Sequence, residues 1–207
     1  MLTDIKRSAY RGFTIIEMAI AMAIFGFLLA AALPSIGVWM DNARIRNVAE
    51  SLQNGLQAAR AEAVRRNQSI TFWLIQLDEP HAVTNSCVLS NLSGSWIISV
   101  NDPTGHCGEA ASTTTSPMVV TGHAMGDAST RVSVKAVQDD GTTAATQVTF
   151  NGFGRMTNAD TAISQIDVTG IEGSTEYRHQ RITITPTGMV RSCDPRVPTS
   201  SDDPRKC

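Results

Sequence analysis

The sequence predicts an α+β fold, with one long N-terminal helix, part membrane-spanning and part amphipathic, packed on an antiparallel β-sheet head. Three observations predict it. Phe13 to Leu33 form an apolar run of 21 residues broken only by Glu17. Residues 45–63 repeat apolar side chains at steps of three and four. After Ser69 the texture changes to short β-like runs separated by turn residues.

At 1.5 Å per residue the first run reaches about 32 Å as a helix, enough to cross a hydrocarbon core. Lys6, Arg7 and Arg11 precede it, and no Lys or Arg follows until Arg44. The positive-inside bias therefore puts the N-terminus in the cytoplasm and the rest outside, giving a single pass of the membrane. A cleavable secretory signal is the competing reading, since Ala30-Ala31-Ala32 offers an A-x-A site. The run is longer than a usual signal core. It also holds Glu17, and a charge there costs roughly 3 kcal/mol, which a discarded segment has no reason to carry.

Beyond Pro34, Ile45, Val48, Leu52, Leu56, Ala59 and Ala63 form one stripe, and Arg44, Arg46, Glu50, Gln53, Gln57 and Glu62 lie on the opposite face. This is an amphipathic helix that a sheet must cover. Arg65 and Arg66 end it, as cations suit a helix C-terminus. Gly26, Pro34 and Gly37 weaken the backbone ladder, so the helix is expected to kink or melt there in an assembly. The expected division is 1–12, 13–38 for the membrane helix, 39–68 for the amphipathic helix and 69–207 for the head.

In the head, strands are expected over Ile70 to Leu77, Trp96 to Val100, Val119-Val120, Val132 to Val137, Thr146 to Phe150, Ile163 to Val168 and Arg181 to Thr185. Asp139-Asp140-Gly141 reads as a hairpin turn. Ala110 to Pro117, rich in Ser and Thr, reads as a loop. Asn101 to Glu109 holds acidic and amide oxygens that calcium would accept, with a plain turn the simpler reading.

Four cysteines, Cys87, Cys107, Cys193 and Cys207, lack the C-x-x-C spacing of zinc or thioredoxin sites. In an exported head an even count reads as two disulfides. Three pairings are possible, and short loops favour Cys87–Cys107 with Cys193–Cys207. The formal charge is −2, so no overall basic field points to nucleic acid. No G-x-S-x-G, P-loop or H-E-x-x-H occurs and the four histidines form no motif. The expectation is a protein that is not an enzyme and has no metal or cofactor.

Lys6-Arg7-Ser8-Ala9-Tyr10-Arg11-Gly12 followed by Phe13-Thr14-Ile15-Ile16-Glu17 resembles the class III signal of type IV pilins and type II secretion pseudopilins. The resemblance implies that residues 1–12 are a leader and that a prepilin peptidase cuts after Gly12. It further implies N-methylation of Phe13 and an assembly role for Glu17, now the fifth mature residue. Pro34 matches the family's helix-kinking proline. Physics agrees: an isolated carboxylate in hydrocarbon needs a partner. The amine freed at Phe13 of a neighbouring subunit supplies one, and buried ion pairs of this kind are best attested as register devices.

Leu56 to Asn67 has the form L-x-x-A-R-x-E-A-x-x-R-N. With Ser95 to Val100, Thr149-Phe150-Asn151-Gly152-Phe153-Gly154-Arg155 and Ile184 to Cys193, it resembles the GspH/FimT family of minor pilins and pseudopilins. Some members bind DNA through a C-terminal G-R-x-R motif. Here Gly188-Met189-Val190-Arg191 lacks the first arginine, and Asp194, Asp202 and Asp203 offset Arg196, Arg205 and Lys206. The candidate DNA-binding residues are Arg178, Arg181, Arg191, Arg196, Arg205 and Lys206. The leading expectation is a minor type IV pilin that primes or caps pilus assembly. The alternatives are a minor pseudopilin of a type II secretion system and, after it, a DNA-binding minor pilin for uptake. The partners implied are other pilins or pseudopilins, the prepilin peptidase and the inner membrane.

Overall fold

The computed structural model describes residues 12–171 and 177–207, and the side chains of these except at 31–35. The expected leader, apart from Gly12, lies outside the described residues, as does the side chain of Pro34. The chain divides into two compact units, Met1–Trp39 and Met40–Cys207.

Helix α1 runs Ile15–Arg66. In the first unit its described side chains, from Ile15 to Ala30, are exposed. Among the described residues no helix is long and apolar enough to cross a membrane. The run read as a span ends at residues 31–33, whose side chains are among those not described.

In the second unit the apolar stripe of α1 is buried from Ile45 to Ala63. The helix stops because Asn67 turns left-handed, at φ 50°. The Gln68 N–H reaches the Ala63 carbonyl and the Asn67 N–H reaches that of Val64. This is the paired bonding of a Schellman ending, with Asn in the position usually held by Gly.

The stripe covers two antiparallel sheets rather than the single sheet expected. One contains β1 (Ile70–Leu77), β2 (Cys87–Leu89), β3 (Ser95–Ser99), β4 (Val119–His123) and β6 (Gln147–Phe150). The other has the order β5 (Val132–Val137), β7 (Gln165–Gly170), β8 (Gln180–Ile184) and β9 (Val190–Cys193). One edge of β1 pairs β3, and the other is shared end to end: β6 takes Ile70 to Trp73 and β2 takes Ile75 to Leu77.

A single apolar core joins α1 to both sheets, through Phe72, Leu74, Trp96, Ile98 and Phe150 of the first and Val134, Ile166, Val168 and Ile182 of the second. β1 is apolar on both faces because both are covered. Phe72 and Leu74 meet the helix, while Trp73, Ile75 and Leu77 join a second cluster with Ile97, Val119 and the cysteines Cys87 and Cys107. Gly55 lets helix and sheet approach. A Cβ there would lie 2.7 Å from the Trp96 ring and 2.8 Å from that of Phe72.

Asp139-Asp140-Gly141 forms a turn, with Gly141 at φ 70° and the Asp140 carboxylate accepting from the Thr142 and Thr143 N–H groups. The Thr143 hydroxyl, which also donates to it, and then these two N–H groups hold that carboxyl well below the ordinary carboxylate range. The turn closes a short hairpin, as the sequence suggested: the Gln138 N–H donates to the Thr143 carbonyl at 2.8 Å and the Ala145 N–H to that of Ala136 at 3.3 Å. After one bridge, Val137 to Ala144, the chain leaves β5 and enters the other sheet as β6. The hairpin stays short because Gln147–Phe150 pairs with the edge of β1.

Candidate assembly and processing site

At the start of α1, Thr14 and Glu17 form a reciprocal cap. The Glu17 carboxylate accepts from the Thr14 N–H and the Thr14 hydroxyl, each at 2.9 Å, and the Thr14 hydroxyl accepts from the Glu17 N–H at 3.3 Å. This is a capping box, which satisfies donors that a helix start leaves open. The T-x-x-E spacing of Thr14 and Glu17 was its legible signal. Gly12 and Phe13, the residues flanking the expected cut, precede the helix and are exposed, Phe13 by 85%.

In the head, motif residues far apart in sequence meet at the end of α1. Arg60 donates its Nε to the Gly154 carbonyl at 2.9 Å. Gly154 and Gly188 are left-handed, with φ of 70° and 79°. A Cβ on Gly188 would fall 2.0 Å from the Gly154 oxygen, and one on Gly152 would fall 2.3 Å from the Asn67 side chain. The turn before Met156 and the turn of the β8–β9 hairpin are thus clamped together against Arg60 and Asn67. Sequence reading placed these residues in motifs without finding this contact, because spacing along the chain carries no sign of a join across 94 residues.

Cys87 is joined to Cys107 with Cα atoms 6.2 Å apart, and Cys193 to Cys207 at 5.1 Å. The first bond covers the outer face of β1 through its cluster. The second folds the chain end back beside β9, where Asp194 bridges to Lys206 and the Asp194 N–H donates to the Arg205 carbonyl.

Five of the six candidate cations are engaged through their side chains within the chain. Arg181 faces Asp167 across strands and holds it with two bonds, of 2.6 and 3.1 Å. Arg196 pairs with Asp194 and also donates to the Tyr177 carbonyl, and Arg205 pairs with Asp203 at 2.6 Å. Arg191 donates to the carbonyls of Pro204 and Lys206, and Lys206 to that of Ser201. The Arg178 side chain lies by the cleft that Arg205 and Asp194 also line. Arg205 holds the Asp203 carboxyl down at about 2, first through its side chain and then through its N–H. A surface that tracks phosphates needs cations in excess, and five of these six face either a carboxylate or main-chain oxygens of the folded-back tail.

In the loop Asn101 to Glu109, the Asp102 carboxylate is occupied by the N–H and hydroxyl of Thr104. Among the described residues no group of three or more His, Cys, Asp or Glu side chains is placed to hold a metal.

The family model described as Type II transport protein GspH matches residues 48–188, and the one described as Prokaryotic N-terminal methylation motif matches residues 7–33. No curated protein matches. Two crystal forms of the type IV minor pilin FimU of Pseudomonas aeruginosa PAO1 are similar in structure. One is 18% identical, covers 74% of this chain and 90% of that chain, and has a TM-score of 0.45. The other is 18% identical, covers 71% and 90%, and has a TM-score of 0.40. The matched family is one of structural subunits that assemble with other pilins after a prepilin peptidase acts. Its methylation motif is that of pilus or pseudopilus subunits anchored in the inner membrane. The chain belongs to the GspH family of type II transport proteins and is a type IV pilin-like protein of the GspH/FimT kind, with an N-terminal methylation motif and a disulfide-containing head.

Proposed function

We propose that this protein is a minor type IV pilin, a structural subunit that primes or caps pilus assembly and acts by packing rather than catalysis. Residues 1–12 are its leader, 13–38 its filament-core helix, 39–68 its amphipathic helix and 69–207 its periplasmic head. The observation that carries the reading is the methylation motif over residues 7–33 with its single carboxylate at Glu17, at the start of an otherwise apolar helix. Before assembly that carboxylate is satisfied by Thr14. In a filament it meets the methylated amine of a neighbour's Phe13 and sets the axial register. A second reading, a minor pseudopilin of a type II secretion system, is favoured by the description of the family model itself.

The test separates the carboxylate's charge from its cap. Glu17→Gln keeps a capping residue and removes the charge; Glu17→Ala removes both. Both variants are expected to be cleaved and to stay in the membrane, since losing a charge eases insertion, and both are expected to be depleted from sheared filaments. Normal incorporation of Glu17→Gln refutes the register role. Loss of secretion with intact pili in a deletion strain supports the pseudopilin.

A further inference from the structure

The chain has three tryptophans. Trp73 and Trp96 are buried in the head, each 8% exposed, whereas Trp39 is 71% exposed. Trp39 closes the first compact unit, near the exposed Ile36. After Glu17 the next charges in the sequence are Asp41 and Arg44. Trp39 therefore stands where an apolar stretch gives way to polar chain, and its indole N–H has no hydrogen-bond partner among the described residues.

Length gives this position a meaning. From Phe13 to Trp39 a helix rises about 39 Å. A bilayer has about 30 Å of hydrocarbon and about 40–45 Å with its headgroups. At an ordinary tilt of about 20° the helix rise from Phe13 to Trp39 spans about 37 Å of the membrane normal. With Phe13 at the inner hydrocarbon boundary, the hydrocarbon then ends near residue 34 and Trp39 falls about 7 Å beyond it, in the outer headgroup layer. An indole suits that layer because its ring is apolar and its N–H seeks water or lipid oxygens. A soluble surface gives no comparable reason to expose a tryptophan beside Ile36.

We propose that Trp39, with Ile36, is a lipid-contact site. It holds the outer end of the membrane helix at the headgroup layer before the subunit enters a filament. The inference rests on the membrane-anchored reading above and adds to it a named residue and a depth.

The test uses the full chain in vesicles of phosphatidylethanolamine and phosphatidylglycerol. A fraction of the lipid carries bromine either near the glycerol end or near the methyl end of its acyl chains. The Trp39 signal is the emission of the wild type minus that of W39F. Bromine near the glycerol end is expected to quench this difference more strongly than bromine near the methyl end, and the emission remaining in W39F is expected to be unaffected by either lipid. If the chain resists an alkaline wash yet the difference signal is untouched, or is quenched mainly by the deeper bromine, Trp39 is not at the headgroups while the membrane reading stands. If the wash strips the chain from the vesicles, the span itself fails and this inference fails with it.

Discussion

The Nε of Arg60 donates to the carbonyl oxygen of Gly154 at 2.9 Å, tying the closing turns of α1 to a β-turn 94 residues further on. Gly188 presses on the same oxygen from the β8–β9 hairpin. Three of the family-like motifs thus meet at one carbonyl, which holds both sheets to the helix that carries the head.

Gly188→Ala should break this join. The residue is left-handed at φ 79°, and the new Cβ would lie 2.0 Å from the Gly154 oxygen. Backbone strain of this kind costs about 1–3 kcal/mol, and the contact adds to it. Urea denaturation of residues 40–207 should show the loss, and an unchanged midpoint would contradict the clamp.

The tail carries a pH signature. Asp203 is held at about 2 by Arg205, below the 3.8 of a free carboxyl. Because the folded value is the lower one, the pair's contribution is fully present above pH 3.8 and is lost as pH falls from there to about 2. The group is exposed, so its effect on stability is small and salt-screened. NMR titration of the Asp203 carboxyl should give a midpoint near 2, moving up toward the ordinary value in Arg205→Ala. An identical midpoint in both proteins would show that the pair does not form in solution.

Much of the fold was legible because burial and periodicity coincide. The stripe from Ile45 to Ala63 is buried as its spacing implied, and β1 and β5 have the bounds their apolar runs suggested. The short strand β2 was not expected, since Cys87–Leu89 has no alternation and pairs through an unpredictable register with β1. The division into two sheets was hidden because the hairpin at Asp139-Asp140-Gly141 pairs only briefly before the chain passes into the other sheet as β6. At the candidate site, Glu17 was conspicuous as a lone charge, whereas Arg60 looked like any polar-face residue until Gly154 was brought to it.

DNA binding gives a prediction of absence. Arg181, Arg196 and Arg205 face Asp167, Asp194 and Asp203. Purified residues 40–207 should therefore show no salt-sensitive DNA affinity at physiological ionic strength. Were the surface a receptor, each phosphate contact removed would lower the slope of log affinity against log salt by about one unit. Clear binding that Arg191→Ala with Arg196→Ala abolishes would make uptake the primary function.

The central claim, a chain matured as a pilin-like subunit, is tested most directly at its N-terminus. Mass spectrometry of the chain extracted from membranes should find a first residue Phe13 carrying one added methyl group, and Gly12→Ala should leave residues 1–12 attached. A mature chain that begins at Met1, starts after Ala32, or is processed normally in the Gly12→Ala variant would contradict the account.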